Sequence, residues 1–433
     1  MRALILAAGM GKRLSWNDGP KALVPLLGLP LITRAILIAK EAGIRELVVV
    51  VGYEGDLVRE TLGDGASLGV SVTYVKNEEW ERGNGLSVLK AQRALSGERF
   101  LILMSDHVLD AGVVRRMTRS RTPRAAAMAV DVTVEDEEVI EEATRVLVED
   151  NRVRSVGRGL SRYNGVDMGV ILAGGLIFGA LESAIREGRE ELGDALDILA
   201  GEERLQAVKF RHPFWFDIDT MEGLMKAKDA LLRSLVKPED GPVSRHLNRR
   251  ISARITEQLV KTSLTPNQVS SIAFAVALVA SVLFYLGDYL FLVVGGILVQ
   301  FSSILDGCDG EVARLKFSST SRGGWIDSLM DRYADFLLIV ALAYGQWTAS
   351  PQPQWWFGVF LALMGSYGVS YTAAAFRSAG KGGLPPGPQI PAKRDSRLLI
   401  LALAAVLNIP LYGLIIIGLL GNAEVVRRLI YWK

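Results

Sequence analysis

From residue 269 onward the chain contains long stretches without a single charge. Val269 to Leu286 and Tyr289 to Leu305 have no Asp, Glu, Lys or Arg. A run of that length can cross a bilayer, and in hydrocarbon a lone segment satisfies its backbone only as a helix. A third apolar run extends from Trp325 to Trp347, with its acids confined to its first half, and a fourth from Trp355 to Phe376. Leu398 to Leu420 reads as two helices broken at Asn408-Ile409-Pro410, because proline cannot continue a helix from within. The fifth helix then starts among the charged residues after Pro391, and the sixth runs into the charged C-terminus. Residues 1–262 carry charge throughout. A chain of 433 residues is long enough for two domains with sizeable cores, and the change in charge density divides it.

Loop charge orients the spans. Basic residues lie before the first span, between spans two and three (Arg314, Lys316, Arg322), between four and five (Arg377, Lys381, Lys393, Arg394, Arg397) and at the end (Arg427, Arg428, Lys433). The alternate loops, Gly287-Asp288 and Thr348 to Gln354, have none. Six spans with both termini in the cytoplasm satisfy every loop, whereas five would leave the basic C-terminus outside.

The first half reads differently. Short β-branched or aliphatic runs at residues 2–6, 47–51, 72–75, 100–104, 129–134 and 205–210 alternate with helical spacing such as Leu31 to Ala42. Strands alternating with helices imply a mostly parallel α/β sheet, ending near residue 232. Met1-Arg2 leads directly into the first strand, which places this domain in the cytoplasm. The net charge of +2 gives no case for a nucleic-acid partner. One cysteine and three histidines exclude an intrachain disulfide and argue against structural zinc. Residues 233–245 read as a linker. Residues 246–263 read as a basic amphipathic helix on an anionic membrane surface, with Arg249, Arg250, Arg254 and Lys261 beside Leu247, Ile251, Ile255 and Leu259.

The strongest chemical signal is D-G-C-D-G-E-V-A-R, eight residues, then G-G-W-I-D-S-L-M-D. Asp306 and Asp309 are three apart and share a helix face, which Gly310 and Ala313 continue with almost no side chain. Asp327 and Asp331 are four apart on the next helix, with Gly323 one turn before. Four carboxylates facing one gap at a membrane boundary must hold protons or be neutralised by cations. An oxygen-only donor set suits Mg²⁺, Mn²⁺ or Ca²⁺. Two such ions about 4 Å apart can clamp a pyrophosphate and support displacement at phosphorus. Arg314 can hold phosphate oxygens. Asp335 extends the acidic face by a turn as a supporting or structural group, and Cys308 reads as a small packing residue.

A second signal lies at the start. I-L-A-A-G-M-G-K-R-L follows the first strand, and Pro20-Lys21 comes soon after. Backbone amides around Ala7, Ala8, Gly9 and Gly11 can cradle phosphate oxygens. Arg13 and Lys21 add charge for a pentavalent transition state and a leaving pyrophosphate. Two cations behind the loop, and its spacing, disfavour a dinucleotide-binding turn. Asp106, in L-M-S-D-H, ends a strand where open α/β sheets bind ligands.

The first of these patterns resembles the CDP-alcohol phosphotransferase family over about residues 246–433, and matches its signature without deviation. Thr265-Pro266-Asn267 fits the same resemblance. It implies that Asp306, Asp309 and Asp327 bind metal, and that Asp331 binds metal, acts as general base toward the acceptor hydroxyl, or does both. It further implies that Gly310 and Ala313 line a cytidine pocket and Arg314 contacts phosphate. Lys393, Arg394 and Arg397 read either as an acceptor-phosphate pocket or as plain positive-inside charge. The second pattern resembles the sugar-1-phosphate nucleotidyltransferases over about residues 1–230. It implies Asp106 and a late carboxylate, Asp219 rather than Asp217, as metal ligands, and Asn84, Gly85 and Ser87 as base readers. Asn164, Asp167 and Gly169 are candidates for the sugar-like substrate, and His107 for a bystander.

The expected architecture is therefore an α/β Rossmann-like nucleotidyltransferase domain followed by an all-α six-helix transmembrane domain, with Mg²⁺ (or Mn²⁺) in both. Together the halves resemble the family of inositol-1-phosphate cytidylyltransferases fused to di-myo-inositol phosphate phosphate synthases. That resemblance implies CTP, a phospho-alcohol and a CDP-alcohol as substrates, contact with membrane lipid, and a homodimer through the membrane helices. The alternatives are a phospholipid synthase with a lipid acceptor, and an N-terminal domain that only binds.

Overall fold

The computed structural model describes every residue except 12, 15–18, 96, 121–124, 238–239, 380–389 and 432–433; of Glu138 only the backbone is described. Lys381 and Lys433, counted above among the basic residues, lie outside the described residues. The chain divides into two compact units, Met1–Ala230 and Leu231–Lys433.

The first unit is built on a nine-stranded sheet. Its strands, in chain order, are β1 (Arg2–Ala7), β2 (Glu46–Val51), β3 (Ser71–Lys76), β4 (Phe100–Met104), β5 (Ala126–Asp131), β6 (Arg145–Glu149), β7 (Arg152–Gly157), β8 (Gly165–Ala173) and β9 (Leu205–Phe210). Their spatial order is β3-β2-β1-β4-β8-β5-β9-β7-β6. β1 through β4 are parallel, as are β5 and β9, while β8 runs antiparallel between β4 and β5. The continuous apolar runs mark strands covered on both faces: Ala3 to Ile5, Val49, Val50, Leu101 and Ile102 have no appreciable exposure.

Two parts of the sheet differ from the sequence reading. The strand expected at 129–134 lies three residues earlier. Asp131 ends it by accepting from the backbone amide and hydroxyl of Thr133, each at 2.8 Å, which turns the chain out of the sheet. The hairpin β6–β7 and strand β8 were not anticipated. Asp150 and Asn151 join the hairpin with φ of 47° and 62°, the left-handed pair that a tight two-residue turn requires.

The second unit is helical. Six long helices span Pro266–Leu286, Tyr289–Leu315, Ser321–Ala349, Gln354–Ser378, Arg394–Val406 and Pro410–Ile430. Thr265 and Gln268 form a reciprocal cap at the first, with Pro266 in its first turn, and Gly287 ends it at φ 80°. The second helix continues past Leu305 to Leu315, so the whole first acidic segment is helical. The break before Pro410 occurs where the sequence places it. Three of these helices, the first, second and fourth, are long and apolar enough to cross a membrane. Their outward faces carry exposed Val279, Val282, Leu290, Ile297, Phe357 and Phe360, an apolar surface suited to lipid. The chain is on these grounds a membrane protein.

The helix Arg249–Leu259 packs with its polar side inward. Asn248, Ser252 and Thr256, four apart, are buried, whereas Leu247, Ile251, Arg250 and Arg254 are exposed. Arg249 corrects the expectation of a surface-facing cation: it is drawn inward by Asp240 and the buried Glu311.

Candidate active sites

In the first unit the loop after β1 brings cations onto acids. Gly11 adopts φ 73° against the Lys21 side chain, and a Cβ there would collide with it. Lys21 opens a short helical turn after Pro20. Its Nζ lies 2.5 Å from both Asp106 Oδ2 and Asp219 Oδ1. Arg13 donates to Asp219 and, at 3.0 Å, to Glu142. Burial opposes the Lys21 charge, but Asp106, Asp217 and Asp219 outweigh it and hold the pKa above the ordinary lysine value.

Asp106 lies just beyond β4. Next to it, His107 begins a short strand, His107–Leu109, paired antiparallel with Trp215–Asp217. This pairing sets the carboxylate of Asp217 3.5 Å from His107 Nε2. The opposite ring nitrogen lies 3.0 Å from the carbonyl of Met168. Against the cost of burial, Asp217 and Asp106 push the His107 pKa up to about 10. Burial raises Asp167 to about 6, although the Gly169 amide and His107 oppose that. Asp217 is held below the usual carboxylate range: burial works the other way, and His107 and Lys21 prevail.

Most of these groups line one cavity of about 880 Å³, with Lys21 behind its wall on Asp106 and Asp219. Arg13, Asn84, Asp106, Asp167, Gly169 and Asp219 are on its wall, as are His107, Trp215 and Asp217. Ala7, Ala8, Gly9, Gly11, Lys21, Gly85, Ser87 and Asn164 are not among the lining residues. Ser87 is buried and takes a hydrogen bond from Asn77 at 2.9 Å. Asn164 corrects a substrate expectation, since both ends of its amide are spent at 2.8 Å on the backbone of Val148. The sequence reading passed over Asp217 and His107. Ligand atoms of Asp106, His107 and Asp217 lie within 4.8 Å of one another, and Asp106 and Asp219 converge on the Lys21 ammonium. Carboxylates gathered around one positive charge fit a hard divalent cation.

In the second unit the two acidic helices deliver their carboxylates to one place. Oxygens of Asp306, Asp327 and Asp331 lie within 4.8 Å of one another. Asp309 stands in hydrogen-bond contact with Asp327 and accepts from Ser270 on the first helix. An oxygen-only set this close fits divalent cations. Gly323 approaches Asn267, so its missing side chain lets the third helix close on the first.

Arg394, at the start of the fifth helix, is not on the periphery. Its Nη1 lies 2.8 Å from Asp306 and 2.7 Å from Asp331, and its Nε 3.0 Å from Asp335. Arg397 holds the other Asp335 oxygen at 2.9 Å. Asp335 is thus a buried anchor for both arginines, which settles its place behind the acidic cluster. Arg314 donates to the Leu235 carbonyl at 3.2 Å, and its buried Nε has no partner among the described residues. Cys308 is buried and packs against the carbonyl of Ile304.

Residues 3–238 match the MobA-like NTP transferase domain, and residues 263–426 the CDP-alcohol phosphatidyltransferase family. Both families use divalent metals. The chain is 39% identical over its whole length to the bifunctional IPC transferase and DIPP synthase of Rubrobacter xylanophilus, covering 96% of that protein. It is 35% identical over 92% of its length to the protein of the same description from Thermococcus kodakarensis, covering 89% of it. Among solved structures, the inositol-1-phosphate CTP transferase from T. maritima aligns with 53% of this chain and 96% of its own at 25% identity, with a TM-score of 0.47. The chain is an enzyme with a nucleotidyltransferase and a CDP-alcohol phosphotransferase half, and it belongs to the family of bifunctional IPC transferases and DIPP synthases.

Proposed function

We propose that the first unit joins CTP and inositol-1-phosphate into CDP-inositol and pyrophosphate. The second unit then transfers phosphoinositol from CDP-inositol to a second inositol-1-phosphate, giving di-myo-inositol phosphate phosphate and CMP. The observation that carries this reading is the presence of two complete acidic centres in one chain, Asp106 with Asp217 and Asp219, and Asp306 with Asp309, Asp327 and Asp331. Full-length relatives named for both activities support it.

In the first reaction, a phosphate oxygen of inositol-1-phosphate attacks the α-phosphorus of CTP, and the bond to the β-phosphate breaks. Lys21 and Arg13 neutralise charge on the α-phosphate and the leaving pyrophosphate. Asp106 with Asp219 or Asp217 would hold a Mg²⁺ ion, which would supply Lewis-acid charge neutralisation there. Gly9 and Gly11 keep the loop close to the triphosphate; Asn84 reads the base from the cavity wall, and Asp167 and Gly169 face the inositol.

In the second, the acceptor hydroxyl attacks the β-phosphorus of CDP-inositol. Its proton passes to the Asp331 carboxylate as the bond to CMP breaks. Gly310 and Ala313 leave room for cytidine, and Arg314 holds the pyrophosphate. Mg²⁺ is the proposed ion for the four aspartates. Arg394, Arg397 and Lys393 serve the acceptor phosphate; Arg394 reaches it by releasing Asp306 and Asp331.

The parts are residues 1–232 for cytidylyl transfer, 233–245 as connection, 246–263 at the membrane surface and 264–433 in the membrane. Basic-loop asymmetry supports six spans with both termini and both sites on the cytoplasmic side, and the exposed apolar helix faces suit lipid and a homodimer. The fifth helix has 13 residues, about 20 Å, shorter than the roughly 30 Å core, so it crosses only with its flanks. The substrate is tested by pyrophosphate release from CTP with inositol-1-phosphate, glucose-1-phosphate and glycerol phosphate in parallel. Release with inositol-1-phosphate alone is expected; preference for another phospho-alcohol overturns the inositol assignment.

A further inference from the structure

Glu311 lies inside the acidic segment yet faces away from the four aspartates. Its side chain has no exposure. It accepts from Arg249 Nη1 at 2.5 Å, from Ser252 Oγ at 2.7 Å and from Thr256 Oγ1 at 2.6 Å. Each of the three side-chain nitrogens of Arg249 is engaged as well. Asp240 takes its Nε and Nη2 at 2.8 and 2.9 Å, and the Gly307 carbonyl shares Nη1 at 3.3 Å. Three residues after Glu311 on the same helix comes Arg314, within interaction range of Arg249, Glu311 and Asp240. An acid and an arginine at this spacing pair readily. Here they do not: Glu311 is held by Arg249, and the buried Arg314 Nε has no partner among the described residues.

We propose that Arg249 is a positioning residue for nucleotide binding, holding the Glu311 carboxylate so that the Arg314 guanidinium stays available to the pyrophosphate of the CDP-alcohol. The inference rests on the reading of Arg314 as a phosphate contact. Without Arg249, Glu311 is a buried charge short of its counter-ion, and the cation one turn along the helix is Arg314. Pairing those two would satisfy both side chains and withdraw Arg314 from substrate. Asp240 completes the arrangement by keeping Arg249 oriented from the chain segment before the juxtamembrane helix.

The test is steady-state kinetics of diester formation by the full chain, with CDP-inositol varied. R249Q is expected to raise KM about tenfold, the loss of one charge-assisted contact, with a smaller change in kcat. R249K, which keeps the charge, is expected to fall between R249Q and wild type. The double variant R249Q/E311Q removes the competing carboxylate, and its KM is expected to return to within about threefold of wild type. A purely structural role predicts the double to be as impaired as the single, and that result overturns the inference. So does an unchanged KM in R249Q when R314Q raises it. An unchanged KM in R314Q overturns the role of Arg314 and the positioning inference with it. If R249Q does not fold, the double variant decides, because it removes the fully buried Glu311 charge together with its counter-ion and leaves only the part-buried Asp240 to be re-solvated: a wild-type KM supports the inference, and a KM like that of R314Q contradicts it.

Discussion

Lys21 concentrates the chemistry of the first site in one side chain, because its ammonium bridges Asp106 and Asp219. Lys21→Ala is expected to slow pyrophosphate release by at least about 100-fold, a loss typical of removing one preorganised charge-stabilising group. Diester formation from supplied CDP-inositol should persist in the same variant, which separates a local defect from misfolding. His107 carries a pH dependence whose sign follows from its raised pKa of about 10. Between pH 6.5 and 10 the folded state keeps the imidazolium proton that the unfolded chain has released. The stability that His107 contributes is therefore fully present below pH 6.5 and is lost as pH rises through 10. Urea unfolding of residues 1–232 from pH 7 to 10.5 should show that decline, and His107→Gln should flatten it. Asp306, Asp309, Asp327 and Asp331 could be placed from spacing, since three- and four-residue intervals fix a helix face. Asp217 is ranked behind Asp219 and His107 as a bystander in the sequence, because their meeting depends on a strand pair joining residues more than 100 apart in sequence.

At the scale of elements, long-range pairing explains what sequence patterns leave out. Ala125 to Ala129 reads locally as good helix, yet Ala126–Asp131 is a fully buried strand between β8 and β9. The polar inner face of Arg249–Leu259 is similarly set by its partner, because Glu311 needs the donors of Ser252, Thr256 and Arg249. By contrast the break before Pro410 was legible, since proline acts locally, whereas the cap at Thr265 starts the first helix three residues before the apolar run that marks it in the sequence. Close helix packing yields a further prediction. A Cβ on Gly421 would lie 2.7 Å from backbone carbons of Gly365 on the fourth helix. Gly421→Leu is expected to destabilise the second unit by at least about 1–3 kcal/mol, read as a lower unfolding temperature in detergent.

For the whole molecule, two compact units and two reaction classes divide the labour at the chain's midpoint. Single cysteines in place of Asp288 or Gln352 should react with an impermeant thiol reagent outside intact cells, and one in place of Arg322 only after lysis. The opposite pattern would reverse the proposed sidedness. Buried Cys308 gives little background. The central claim is that one chain makes a CDP-alcohol and then consumes it. ³¹P NMR of the purified chain with Mg²⁺, CTP and inositol-1-phosphate, beside Asp331→Ala, follows both steps at once. The account predicts pyrophosphate, CMP and the diester in the first sample, and CDP-inositol accumulating without diester in the second. Diester formation undiminished in Asp331→Ala, or no CDP-inositol in either sample, would contradict it.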